Sequence, residues 1–208
     1  MAEMKDMTIE AFAALTASDA PAPGGGSIAA YAAALSAALA EMVANLTIGK
    51  KGYEAHEERM RTLAKEAEML RGELIAAIKE DCDCFNAYMD ALHMPKDTEE
   101  QKALRQEKMQ EGLKIAAQVP LKTAQCAVNI FPLAEAVVRN GNKNAVTDGL
   151  VSALLARSAV LGALLNVKIN LKSIKDQAFV QHMNAKVKAL EEEAVRREQE
   201  VLALSDLS

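Results

Sequence analysis

The 208-residue sequence is half hydrophobic yet only 3% aromatic and lacks tryptophan, so its apolar mass is alanine, leucine and methionine, a composition of helices. A formal net charge of −5, with no block of lysines and arginines, argues against a nucleic-acid partner. Three cysteines, Cys82, Cys84 and Cys126, make no even disulfide framework and fit a reducing cytosol.

The opening MAEMKDMTIEAF has neither a basic n-region nor an apolar h-region and does not read as a signal peptide, so a single cytoplasmic domain over 1–208 is expected. Thr8 caps a short helix whose apolar face is Ile9, Phe12 and Leu15. PAPGGG breaks that helix, and Ser27 stands where an N-cap is expected for a second, alanine-rich helix reaching about Ile48. The stretch from Ile28 approaches membrane length but carries Glu41 and Asn45, and it reads as a buried helix of a soluble protein with no membrane partner. TIGKKGYE, with two glycines, is a turn.

From about Glu54 to Leu92 apolar residues recur at spacings of three and four: Met60, Leu63, Ala67, Leu70, Leu74, Ile78, then Phe85, Tyr88 and Leu92. That is one face of a helix roughly 58 Å long at 1.5 Å per residue, a length suited to a bundle. Pro95 ends it, and Thr98 with Gln101 forms a capping box for the next helix. Pro120 and Pro132 predict kinks or breaks. Gly141 marks a helix end, and a new helix capped by Asn144 or Thr147 runs to about Leu165. NVKINLKSI is β-branched and irregular, and reads as a connector or a distorted helix. Val180, Met183, Val187, Leu190, Ala194, Val201 and Leu204 form a near-heptad interrupted at Arg197. No strand pattern intervenes, so the expected fold is all-α, an up-and-down bundle of long helices.

Three features exceed what a plain bundle needs. The glycines of PGGGS leave the first N–H groups of a long helix open to an anion or a polar oxygen; without a following GK[ST] they are not a P-loop, and a flexible turn is the simpler reading. Asp81 falls on the apolar stripe between Ile78 and Phe85, where burial raises a carboxyl toward the range of acid–base work unless it merely bonds a neighbouring helix. GNKNAVTD, residues 141–148, holds more polar groups than capping requires. Cys82 and Cys84 point to different sides of one helix, and His56, His93 and His182 stand alone, so no metal site is expected.

PGGGS before a long alanine-rich helix, TIGKKGY after it, EDCDCFNAYM, and GNKNAVTD with NVKIN downstream resemble, in that order, the cyclodeaminase/cyclohydrolase family. The resemblance runs from about Ile9 to Phe179. Its members act on one-carbon derivatives of tetrahydrofolate, as stand-alone methenyltetrahydrofolate cyclohydrolases or as the cyclodeaminase half of formiminotransferase-cyclodeaminase. The resemblance implies a helical homodimer that binds a folate near the glycine run and needs no cofactor beyond that tetrahydrofolate substrate. Carried over by position, it implies substrate binding by Gly24, Gly25, Gly26, Ser27, Lys50, Lys51, Tyr53, Asn142 and Asn144, with Asp81 and Asp148 as catalytic carboxylates. The glycines would admit a flat pterin or its carboxylate tail to helix backbone, and Lys50 or Lys51 would meet the glutamate tail. Cyclohydrolase is the favoured activity because no formiminotransferase domain accompanies the motifs. Formimidoyltetrahydrofolate cyclodeaminase is the alternative. A non-catalytic folate-binding or helical interaction protein, which the C-terminal near-heptad would serve, is the third.

Overall fold

The computed structural model describes residues 4–207. Among them are α1 (Ile9–Thr16), α2 (Gly25–Asn45), α3 (Glu57–Leu92), α4 (Glu99–Val128), α5 (Phe131–Asn140), α6 (Val146–Leu171) and α7 (Gln177–Leu202), with no strand among the described residues. Helices α2, α3, α4 and α6 form an up-and-down four-helix bundle, each antiparallel to its neighbours. Ser27 meets Asp81 and Glu41 meets Arg71 across α2 and α3. Leu92 meets Arg105 and Glu80 meets Lys122 across α3 and α4. Asn170 meets Ala116 across α6 and α4, and α7 returns along α6 with Lys168 paired to Glu191 and Arg157 to Glu198.

The centre of the bundle is built from small side chains. Ala33, Ala37 and Ala40 of α2 and Ala153, Ala156 and Ala159 of α6 are fully buried. At mid-seam the hydroxyl of Ser36 donates to the Ser152 carbonyl at 2.7 Å, and that of Ser152 returns a bond to the Ser36 carbonyl at 2.8 Å. Both hydroxyls are thereby satisfied, and their burial carries no desolvation penalty beyond what the bonds restore. Small residues let the two backbones approach closely, so dispersion between them replaces the bulk of a leucine core. Both helices are long and apolar enough to cross a membrane, yet 56% and 50% of their apolar windows are buried against other helices, as core helices of a bundle are.

Several local expectations hold. The Thr8 hydroxyl accepts from the Ala11 N–H, and Thr98 and Gln101 close a reciprocal capping box. Others are corrected. Gly24, not Ser27, is the N-cap of α2, and α2 ends at Asn45 rather than Ile48. Asn142 caps a 3-10 turn over Lys143–Ala145, so α6 begins at Val146 without Asn144 or Thr147 as its cap. NVKIN is regular helix, the last turns of α6, which continues to Leu171. Pro132 opens α5 as expected, but α4 runs through Pro120 without a break. The reason lies on another helix: proline removes the N–H that would bond the Ala116 carbonyl, and the Asn170 amide donates to that carbonyl at 2.8 Å instead.

Gly141 ends α5 in an extended conformation, with its N–H bonded to the Val137 carbonyl. An added Cβ would overlap that carbonyl oxygen and lie 2.9 Å from Val43 Cγ1, and a backbone oxygen has no room to retreat. Gly141→Ala is therefore expected to destabilise the fold by about 1–3 kcal/mol, the scale of an overpacked core position, read as a fall in denaturant midpoint at unchanged slope.

Candidate active site

The first turn of α2 lies between α3 and α6, and its glycines make room for side chains from both. Gly26 faces Asp81 of α3: a Cβ there would collide with Oδ1 and sit 2.6 Å from Cγ. The Asp81 carboxylate is thus laid against helix backbone that any other residue would cover. Gly25 faces Asn166 of α6, whose Nδ2 would lie 3.2 Å from an added Cβ, and Gly24 faces open space. Ser27, third residue of the helix and fully buried, turns its hydroxyl to Asp81 and donates to Oδ2 at 2.8 Å.

Burial pushes the Asp81 carboxyl above the usual carboxylate range; the Ser27 hydroxyl and the Ser27 backbone N–H, both donating to it, pull it part of the way back. The positive end of the α2 dipole favours the anion in the same sense as those bonds. Beneath Ser27 the Cys82 sulfur lies 3.3 Å from the hydroxyl oxygen, and burial raises its thiol too. Cys84 is pushed up to about 11, first by burial and then by the neighbouring Asp81, so it is a thiol and no nucleophile at neutral pH. Asp83 is exposed and paired with Lys79. Among the described residues no three His, Cys, Asp or Glu side chains stand close enough to hold a metal ion.

A second polar cluster gathers the remaining residues singled out in the sequence. The Asn142 backbone N–H donates to Thr47 Oγ1 at 2.8 Å, its Nδ2 to the Leu46 carbonyl at 3.3 Å, and its Oδ1 accepts from the Asn144 N–H. The Lys143 N–H donates to the Tyr53 hydroxyl at 3.0 Å. Asn142 and Tyr53 thereby tie the loop after α2 to the turn before α6. Gly49 and Gly52 adopt left-handed backbone, φ +70° and +91°, which folds the loop back on either side of Lys50 and Lys51. Lys51 and the Asn144 side chain are exposed, and Asp148 is half-buried in the first turn of α6. Thr47, buried and central to these contacts, carries no signal in the sequence that separates it from any helix-end threonine.

The two clusters lie at opposite ends of α2, whose 21 residues span roughly 30 Å. One chain therefore brings Gly24–Ser27, Asp81 and Asn166 together, and separately Lys50, Lys51, Tyr53, Asn142, Asn144 and Asp148. It does not bring Asp81 and Asp148 into one pocket.

The bundle thus sets one partly buried carboxylate against the first turn of a core helix. The chain belongs to the formiminotransferase-cyclodeaminase family, whose model matches residues 8–189. It is 42% identical over 187 residues to a methenyltetrahydrofolate cyclohydrolase of Methylorubrum extorquens, covering 90% of each chain. It is 39% identical over 183 residues to a formimidoyltransferase-cyclodeaminase of Gallus gallus, of which it spans 34%. The crystal structure of formiminotetrahydrofolate cyclodeaminase from Thermotoga maritima superposes with a TM-score of 0.87 at 32% identity, covering 97% of both chains.

The Gly26–Asp81 contact generates a test. In Gly26→Ala the carboxylate, the far end of a flexible side chain, swings out to solvent. The loss of the Ser27 bond, about 1 kcal/mol, is offset by alanine's better helix propensity, up to about 1 kcal/mol. The melting temperature is expected to move little, while the Asp81 titration followed by carboxyl-carbon NMR drops toward the ordinary carboxylate range.

Proposed function

We propose that this protein is a methenyltetrahydrofolate cyclohydrolase, converting 5,10-methenyltetrahydrofolate to 10-formyltetrahydrofolate. The observation that carries the proposal is the Asp81 carboxyl, raised by burial and fixed by Ser27 at the open first turn of α2. The 42% identity over nine-tenths of the Methylorubrum cyclohydrolase favours this substrate among those of the family. In the methenyl compound one cationic carbon bridges N5 and N10. Water adds to that carbon while Asp81 takes a proton from it, leaving a neutral tetrahedral hydroxyl adduct. As the bond to N5 breaks, Asp81 returns its proton to N5, and the adduct's hydroxyl proton passes to solvent as the formyl carbonyl forms. One proton is released overall. A carboxyl raised toward neutrality serves both steps better than one at its ordinary value, and its negative charge favours the cationic substrate.

The cyclodeaminase reading uses the same groups. N10 attacks the carbon of the protonated formimino group, Asp81 accepts the N10 proton and delivers it to the amino nitrogen, which departs as ammonia and leaves the methenyl cation. The similarity to the Thermotoga cyclodeaminase keeps this reading as the second.

The same proposal takes the protein as a homodimer. Ile28, Leu35 and Met42 of α2 and Val151, Leu154 and Leu165 of α6 are exposed on two helices that run antiparallel side by side. A second copy docked on this face about a two-fold axis normal to the helices covers these side chains and sets the α2 N-terminus of one copy against the Lys50–Tyr53 end of the other. The two polar clusters, split in one chain, then adjoin, with Lys50 and Lys51 across from Asp81 and placed for a glutamate tail.

Two outcomes follow. Asp81→Asn is expected to lower turnover of methenyltetrahydrofolate, followed by loss of its absorbance, by about 10²-fold or more. Its melting temperature at neutral pH should equal or exceed that of the parent. The sign is fixed by linkage: a carboxyl raised in the folded state is most costly when ionised, and that cost is relieved only as pH falls through the raised value toward the ordinary one. Ammonia release from 5-formiminotetrahydrofolate, with no effect on the methenyl compound, would move the protein to the second reading. Leu35→Glu, at an exposed position that leaves the single chain intact, is expected to yield a monomer by light scattering with turnover lost. A fully active monomer would overturn the shared site.

A further inference from the structure

The two asparagines of NVKIN stand four residues apart on one face of α6, in a helix whose neighbouring inward positions are Ala159, Val160, Ala163, Leu164 and Val167. Asn170 is accounted for by packing. Its Nδ2 donates to the Ala116 carbonyl that Pro120 leaves without a partner, and to the Asn166 main-chain carbonyl at 3.0 Å. Asn166 has no such duty. Its Nδ2 donates at 2.9 Å to the Gly162 carbonyl of its own helix, one turn back. A carbonyl accepts and never donates, so this bond fixes which end of the amide faces the helix and turns Oδ1 away from it. Oδ1 has no hydrogen-bond partner among the described residues and lies 3.7 Å from the Cβ that Gly25 lacks.

Gly25 and Gly26 are adjacent, and successive helix residues point about 100° apart around the axis. Asn166 against Gly25 and Asp81 against Gly26 therefore wall the first turn of α2 from two sides, with the open flank of Gly24 beside them. The junction so formed presents a carboxylate on one side and, on the other, an oriented amide oxygen with no protein partner among the described residues.

We propose that Asn166 is a substrate-binding residue of this site, its Oδ1 accepting a hydrogen bond from a ring or amino N–H of a tetrahydropterin and so orienting the one-carbon bridge toward Asp81. The inference rests on the folate reading of the same site. Methenyltetrahydrofolate has no N–H on either nitrogen of its bridge, but its reduced pterin ring presents several. An acceptor with a fixed direction thus holds the part of the ligand that does not react. Gly25 is then required because a side chain there would press on the Asn166 amide and turn the acceptor out of line.

The test is the KM and kcat of Asn166→Ala on methenyltetrahydrofolate, with the dissociation constant for the stable analogue 5-formyltetrahydrofolate and the melting temperature measured alongside. Alanine is the best helix former, so the variant folds. The expected result is a rise in KM and in the analogue's Kd of about ten-fold, the scale of one lost hydrogen bond, with the acid limb of the pH profile unmoved because Asp81 is untouched. Asn170→Ala is the structural control, expected to lower the melting temperature while KM stays within about two-fold. Unchanged KM and Kd in Asn166→Ala, or an equal rise in Asn170→Ala, overturns the inference and leaves the cyclohydrolase reading standing. A parent protein that neither binds 5-formyltetrahydrofolate nor turns over either folate overturns both.

Discussion

The close approach of α2 and α6 is the constraint on which the rest depends. Alanine, glycine and serine line the seam from Gly25 against Asn166 to Ser36 against Ser152, and the reciprocal serine bonds fix its register. A seam of leucines would hold the helices farther apart and lift the first turn of α2 away from α6. The short side chains bury little area each, so the stabilisation comes from close packing of one helix backbone on the other. The site inherits that rigidity. Its three walls are the first turn of one core helix and the flanks of two others, none of them a loop.

Within that frame Asp81 is a charge placed where the fold would otherwise set a leucine, and opposing effects act on it, desolvation the largest. Desolvation disfavours the anion, two donors on Ser27 favour it, and the dipole of α2 favours it further. The balance leaves the carboxyl raised but still able to ionise. The absence of a side chain at Gly26 makes all three possible, since it lets the carboxylate reach the backbone of the first turn. Gly25 and Gly26 make room for the protein's own side chains, Asn166 and Asp81, before they serve a ligand, whereas Gly24 faces open space.

Long-range periodicity in the sequence carried most of the architecture. The three-and-four spacing from Met60 to Leu92 marks α3, and the same spacing makes Asp81 conspicuous as an interruption of the stripe. The Thr8 cap and the Thr98–Gln101 box are local chemistry and were equally legible. What could not be read depends on partners distant in sequence. The continuity of α4 through Pro120 needs Asn170, 54 residues from the carbonyl it satisfies, so neither the unbroken helix nor the helical state of NVKIN follows from either segment alone. Ser27 looked like a cap because serine usually is one; in the fold Asp81 competes for its hydroxyl and wins, and Gly24 takes the cap position with no side chain. The surplus of polar residues after Gly141 reads as a second polar surface, and helix length sets it at the far end of α2 from Asp81; only the family resemblance joins the two in one site.

The two reactions proposed for the site ask the same thing of it. Hydration of a methenyl bridge and expulsion of ammonia from a formimino group share a tetrahedral carbon between the same two nitrogens, and both ask for one group that takes a proton and gives it back. In the proposed site Asp81 supplies this, and nothing about a raised carboxyl distinguishes water from an amine as the partner. Selection must then reside in how the ligand is oriented and which nucleophile reaches the carbon, which are properties of the groove walls and of whatever closes the open flank at Gly24. Residues that hold the ligand without transferring its proton, as Asn166 does for the pterin ring in the proposed site, are where the choice between the two chemistries would be made.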